Sequence, residues 1–167
     1  MDVAGLLLDM YGRVPEVARH AVADLEAADL VRAPAPGANT IGWLVWHLTR
    51  VEDEHVSELI GVDQLWVTND FAGRFGLDPD PHNTGYGHGP DDVAAVRPES
   101  ADALIDYLEA VDARVREFLA TITPKDLDTV VDRRWDPPVT MGVRLVSVAD
   151  DCIQHAGQAG YARGLLH

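Results

Sequence analysis

Positive charge is scarce in this chain: 13 Lys+Arg stand against 28 Asp+Glu in 167 residues, a formal net charge of -15 with His neutral. Lys125 is the only lysine, and no basic cluster interrupts the acidic background. Phosphate backbones and anionic lipid faces are bound through clustered Lys and Arg, so nucleic acid and membrane surfaces are excluded as expected partners. Cysteine is nearly absent as well. Cys152 stands alone and cannot close an intramolecular disulfide. No apolar run approaches the ~20 residues that span a bilayer, and the start MDVAGLLLDMYGRV lacks the basic and apolar regions of a signal peptide. The expected location is cytoplasmic. Few lysines beside abundant Ala, Val, Asp and Gly also suggest a GC-rich genome.

What remains is ordinary globular composition, 47% hydrophobic and 25% charged. A chain this long buries about 70% of its unfolded surface in one core. No repeat, low-complexity tract or linker divides it, so residues 1–167 are expected to form a single domain.

Apolar residues Leu6, Leu7, Met10, Val14, Val17, Ala21 and Leu25 recur at the helical period between Asp2 and Leu30, with Pro15 marking a kink or restart. The Pro- and Gly-containing segment from Ala33 to Asn39 disfavours helix. A second helix is predicted from Thr40 to Ile60, capped by Asn39 or Thr40 and stopped by Gly61. From Val62 to Pro98, glycines and prolines break the pattern. That stretch reads as a long crossover with short helical pieces near Gln64–Arg74 and Asp91–Val96, a length at which loops are functional or disordered. A third helix starts at Pro98-Glu99-Ser100 and ends at Thr123-Pro124, and a fourth runs from Thr140 to Leu166 after an irregular piece holding Trp135. Four such helices bury their apolar stripes as an all-α four-helix bundle, with the crossover between helices two and three near one end, where it can cover a site.

Asp151 and His155 are spaced i, i+4 on helix four, which leaves both side chains on one face about 6 Å apart along the axis. Carboxylate and imidazole one turn apart can chelate a divalent ion such as Zn, Ni or Fe, and they serve equally as an ordinary ion pair. A third ligand has to come from another helix. Helix two offers His47 and His55, and periodicity does not choose between them: the apolar stripe is centred nearer His55, while His47 sits among Trp43, Leu44, Val45, Trp46 and Leu48. A buried His47 is also read as a core histidine satisfied by a carbonyl. His82 and His88 lie in the crossover. Arg144 and Gln158 share the Asp151 and His155 face and are candidates for holding a polar or anionic substrate group, with surface charge and packing as their ordinary alternative. Glu54 sits two turns beyond His47, about 10 Å along the axis, and is set aside. Cys152 points away from Asp151 and reads as a small core residue.

Two segments carry a resemblance. Thr40-Ile41-Gly42-Trp43-Leu44-Val45-Trp46-His47-Leu48 and the run from Asp151 to Arg163 resemble the DinB-like, or YfiT-like, metalloenzyme superfamily, in the branch of the mycothiol-dependent maleylpyruvate isomerases and thiol S-transferases. Thr84-Gly85-Tyr86-Gly87-His88 resembles the crossover of that branch. The likeness covers nearly the whole chain. It implies a divalent metal held by His47, Asp151 and His155. His88, placed in the crossover, joins Arg144 and Gln158 as a candidate substrate contact. The resemblance also implies a low-molecular-weight thiol such as mycothiol as cosubstrate, and a homodimer, to which Ala- and Val-rich faces on helices one and three could contribute. Asp151 departs from the pattern, because isomerase-like members carry Glu there and many others carry His. Aspartate is one methylene shorter, which demands a closer approach of the ion to helix four.

Three protein ligands leave a coordination position open, as catalytic sites require, whereas structural zinc sites are closed by four. The expectation is therefore a metal-dependent transferase, isomerase or hydrolase acting on a small electrophile. The alternative is a non-catalytic metal- or ligand-binding helical module, for which the Asp151 departure is the motive.

Overall fold

The computed structural model describes residues 1–166. Four rods build it: α1 (Val3–Tyr11) with α2 (Arg13–Val22), α4 (Ile41–Ile60), α7 (Ala101–Leu119) and α8 (Met141–Leu166). Helices α4 and α7 pack against one another, α8 packs on α2 and α4, and α7 also packs on α2, which closes the expected all-α four-helix bundle. Among the described residues no helix is long and apolar enough to cross a membrane.

Helix boundaries follow local chemistry. The Thr40 side chain accepts from the Trp43 N–H and Ser100 from Ala103, satisfying donors that a helix start leaves unpaired. Gly61 adopts φ 77 and stops α4 as expected. The first rod differs from its prediction as one helix to Leu30. It breaks at Gly12, before Pro15, which then falls in the first turn of α2, where its missing N–H costs no helical hydrogen bond. It breaks again after Val22, where Asp24 takes φ 60, and resumes only as the short α3 (Ala27–Leu30).

The crossover is ordered. It contains α5 (Leu65–Thr68), a 3₁₀ turn at Ala72–Phe75 and α6 (Pro90–Ala95). Trp66 and Phe75 from this segment are fully buried with Tyr107 of α7, their rings 5.3 to 6.1 Å apart. Each such aromatic contributes about 1.5–3 kcal/mol by burial. With α7 and α8 on its inner sides and the crossover outside, α4 is buried without interruption from Ile41 to Arg50. Its polar residues are therefore enclosed too.

Before α8 the chain forms a small antiparallel hairpin that the sequence reading treats as irregular, β1 (Val130–Asp132) with β2 (Val139–Thr140). It places Asp132 3.4 Å from the buried Arg144 at the start of α8.

Candidate metal centre

His47 lies in the second turn of α4, on the side that meets α8, and Asp151 and His155 lie one turn apart in the middle of α8. One ligand atom from each of the three falls within 4.8 Å of the others. Nε2 of His47 is 3.9 Å from Asp151 Oδ2, and Nε2 of His155 is 3.6 Å from Asp151 Oδ1.

Hydrogen bonds on the far side of each ring fix the tautomers. His47 Nδ1 lies 2.5 Å from the carbonyl oxygen of Thr84, and His155 Nδ1 lies 2.8 Å from Oε1 of Gln158. Both partners can only accept, so both Nδ1 atoms carry the proton and both Nε2 lone pairs face the carboxylate. This is how a metal-ligating histidine is held.

A further observation tests whether the set suits a cation. Oδ2 of Asp151 is buried and has no hydrogen-bond partner; the Nε1 atoms of Trp46 and Trp66 are the comparable cases among the described residues. An orphaned acceptor of this kind costs about 1–3 kcal/mol. One donor atom from each residue lies within 4.8 Å of the others, against ~3.4 Å between ligand atoms on a tetrahedral ion with ~2.1 Å bonds, so a small inward shift of the side chains closes the set. The shorter aspartate is accommodated, since its carboxylate already lies against both rings. The residues fit a divalent metal.

Burial lowers the His47 pKa, and the Thr84 carbonyl and Asp151 only partly offset it, so the ring stays neutral and able to ligate. For His155 burial also pulls downward, but the Asp151 carboxylate at 3.6 Å, which favours the protonated ring, and the hydrogen bond to Gln158 outweigh burial and the pKa is raised. Protons thus compete for the site mainly at His155. Access is from the α8 side: the Asp151 side chain is 34% exposed, against 7% for His47.

Sequence comparison matches residues 10–159 to the DinB superfamily. The chain belongs to this superfamily. DinB-superfamily proteins bind metal, and the His47–Asp151–His155 cluster is where this member could hold one. A crystal structure of a conserved protein from Enterococcus faecalis has the same fold, with a TM-score of 0.91 and 35% identity over 99% of this chain and 98% of that one. A comparison with curated proteins finds no match.

Around the His47–Asp151–His155 cluster stands an aromatic wall that the sequence reading did not assign. Trp43 stacks on His47 with centroids 4.5 Å apart and planes at 16°, and meets His155 edge-on at 6.0 Å. Its indole Nε1–H donates to Nδ1 of His88, whose Nε2–H donates to Oδ1 of Asn83. Both nitrogens of His88, a candidate substrate contact, are thus engaged within the protein. Thr84 and Gly85 were visible only as part of the crossover motif. A backbone carbonyl has no sequence signature of its own.

The other two candidates lie on α8 at different depths. Gln158 is exposed and oriented toward His155. Arg144 lines a cleft of about 440 Å³ with Glu54, His55, Glu58, His82 and Arg134. Its guanidinium donates to Nδ1 of His55 at 2.7 Å and lies 3.5 Å from Glu58. Burial and the Arg144 charge push His55 down to about 4, against the opposing pull of Asp151. His55 therefore faces Arg144 in that cleft and is not part of the ligand set. Glu54 shares the cleft, and burial raises its carboxyl above the ordinary range. Cys152 is fully buried, donates to the Leu48 carbonyl at 3.4 Å, and has its thiol pushed well up by burial. That is a core residue.

Proposed function

We propose that this protein is a divalent-metal enzyme that activates a small thiol, of the mycothiol type, and directs it at a small electrophile in a transfer, isomerisation or hydrolysis reaction. The observation that carries the reading is the Asp151 carboxylate set between two imidazole Nε2 atoms, its Oδ2 buried without a partner, in a three-donor set that leaves coordination room for a reactant. A divalent ion held there supplies Lewis acidity, lowering the pKa of a thiol or water beside it.

The protein's own groups do the rest. Thr84 and Gln158 keep both rings in the Nδ1–H form, and Asp151 supplies the charge that a cation needs. Trp43 closes one wall against water. The cleft of Glu54, His55 and Arg144 begins two helical turns from the ligands, about 10 Å, a distance that the body of a small thiol or electrophile can span.

The test is turnover. Purified protein loaded with Zn²⁺, Ni²⁺ or Fe²⁺ is assayed with mycothiol or bacillithiol against a panel of electrophiles, beside the His47→Ala variant. Turnover that requires His47 supports the enzyme. Tight metal binding with no thiol-dependent rate across the panel favours a metal-binding module, the reading that the shorter Asp151 motivates.

A further inference from the structure

Arg50 is fully buried one turn after His47, and its whole guanidinium is spent. Nε donates to the Asn83 carbonyl at 3.1 Å, Nη2 to the Pro81 carbonyl at 3.1 Å and to Gln64 Oε1 at 2.8 Å, and Nη1 to the Tyr107 hydroxyl at 3.1 Å. Asp53, 3.5 Å away, balances the charge, and the plane lies 5.1 Å from the Trp66 ring centre. A buried guanidinium is expensive unless every donor is met. Here two of its donors are spent on main-chain carbonyls of the crossover, immediately before Thr84.

Two paths run from that grip to the metal ligand. Along the backbone, Asn83 leads directly to Thr84, whose carbonyl accepts from His47 Nδ1. Through side chains, Asn83 Oδ1 holds His88, His88 holds the indole of Trp43, and Trp43 stacks on His47. We infer that Arg50 is a positioning residue for the metal centre: by clamping residues 81–83 of the crossover it fixes the tautomer and ring plane of His47. The inference rests on the metal reading above, but its orienting half concerns the protein alone. Lysine cannot replace arginine here, because one ammonium cannot hold two carbonyls and a carboxamide in a planar fork.

The test uses the full chain with Arg50→Lys, Asn83→Ala and, as a control away from the crossover, the core substitution Val111→Ala. Three quantities are read: Zn²⁺ affinity by chelator competition, the Co²⁺ d–d spectrum, and the NMR signal of the His47 Nδ1–H proton in metal-free protein. R50K is expected to lose about tenfold or more in Zn²⁺ affinity, the loss typical of partners that orient a ligand, to shift the Co²⁺ bands, and to lose the protected proton. V111A is expected to lower thermal stability while leaving affinity within about twofold, which separates positioning from general destabilisation. A folded R50K with unchanged affinity, spectrum and proton signal overturns the inference. N83A keeps the Arg50 contacts to main chain and reads the side-chain path through His88 and Trp43 alone; should R50K fail to fold, Gln64→Ala decides, because it removes a partner of both Arg50 Nη2 and the Pro81 carbonyl, and unchanged Co²⁺ bands and His47 proton signal in that variant overturn the inference. If the unaltered chain takes up no metal, the metal reading falls, while the His47 proton still reports whether Arg50 orients the ring.

Discussion

A Cβ on Gly85 would lie 2.6 Å from Nδ1 of His47 and 3.1 Å from the rings of Trp43 and Trp46, so the crossover presses bare backbone against the imidazole. Gly85 also sits at φ +96, a conformation that L side chains rarely adopt. Gly85→Ala is therefore strained twice over. It is expected to cost about 1–3 kcal/mol of stability and to weaken Zn²⁺ binding by displacing the Thr84 carbonyl. Thermal melts and competition titration check both. An alanine variant with wild-type melting and affinity would mean that the loop does not bear on the ring.

Asp151→Asn separates ligation from folding. The carboxylate has a buried oxygen without a partner, a cost that offsets what its charge gains beside His155 in the metal-free protein. Metal-free Asp151→Asn should melt no lower than the parent, yet Zn²⁺ should no longer raise its melting temperature, because the stabilisation by ligand scales with binding. Asp151→Glu, the longer acid, should retain binding. Differential scanning with and without Zn²⁺ reads both variants; an unaltered Zn²⁺ shift in the Asn protein would remove Asp151 from the ligand set.

Acid should weaken metal binding in an order set by the two rings. His155 has a raised pKa, because Asp151 and Gln158 overcome the effect of burial, so protons begin to compete above its ordinary 6.5. His47 is lowered by burial and competes only at lower pH. Apparent Zn²⁺ affinity is expected to fall by about tenfold per pH unit for each competing proton, starting above pH 6.5. Gln158→Leu removes one raising contact and should move that onset downward. Affinities measured from pH 5 to 8.5 by competition titration test this, and an onset unmoved by the substitution would sever Gln158 from His155.

Much of this was legible because short-range chemistry governs it. Thr40, Ser100 and Gly61 announce helix ends, and the one-turn spacing of Asp151 and His155 is geometry that any helix enforces. The choice of His47 over His55 was not periodic. It depends on which ring meets Asp151 in the middle of α8 and which meets Arg144 near its start, a tertiary fact that only family resemblance supplied in advance. The hairpin at Val130 was hidden because two strands this short carry no alternation to read. Thr84 contributes through its carbonyl, which every residue has. Arg50 left no distinct signal, because Glu52, Asp53 and Glu54 follow it on the same helix and the carbonyls it holds lie some 30 residues away.

Glu52 provides a prediction independent of the metal. It is buried in the bundle, and burial, with Asp112 and Asp53 nearby, raises its carboxyl from 4.5 to about 8. A folded-state pKa above the unfolded value means that the native protein holds the extra proton. The associated stability is complete below about pH 4.5 and is lost as pH rises toward about 8. Across that window this one group lowers stability by up to about 1.4 kcal/mol per pH unit. Glu52→Gln keeps the shape without the titration. Its melting temperature should therefore exceed the parent's increasingly from pH 5 to 8, with the two converging in acid, and parallel curves would show that Glu52 does not titrate within the bundle.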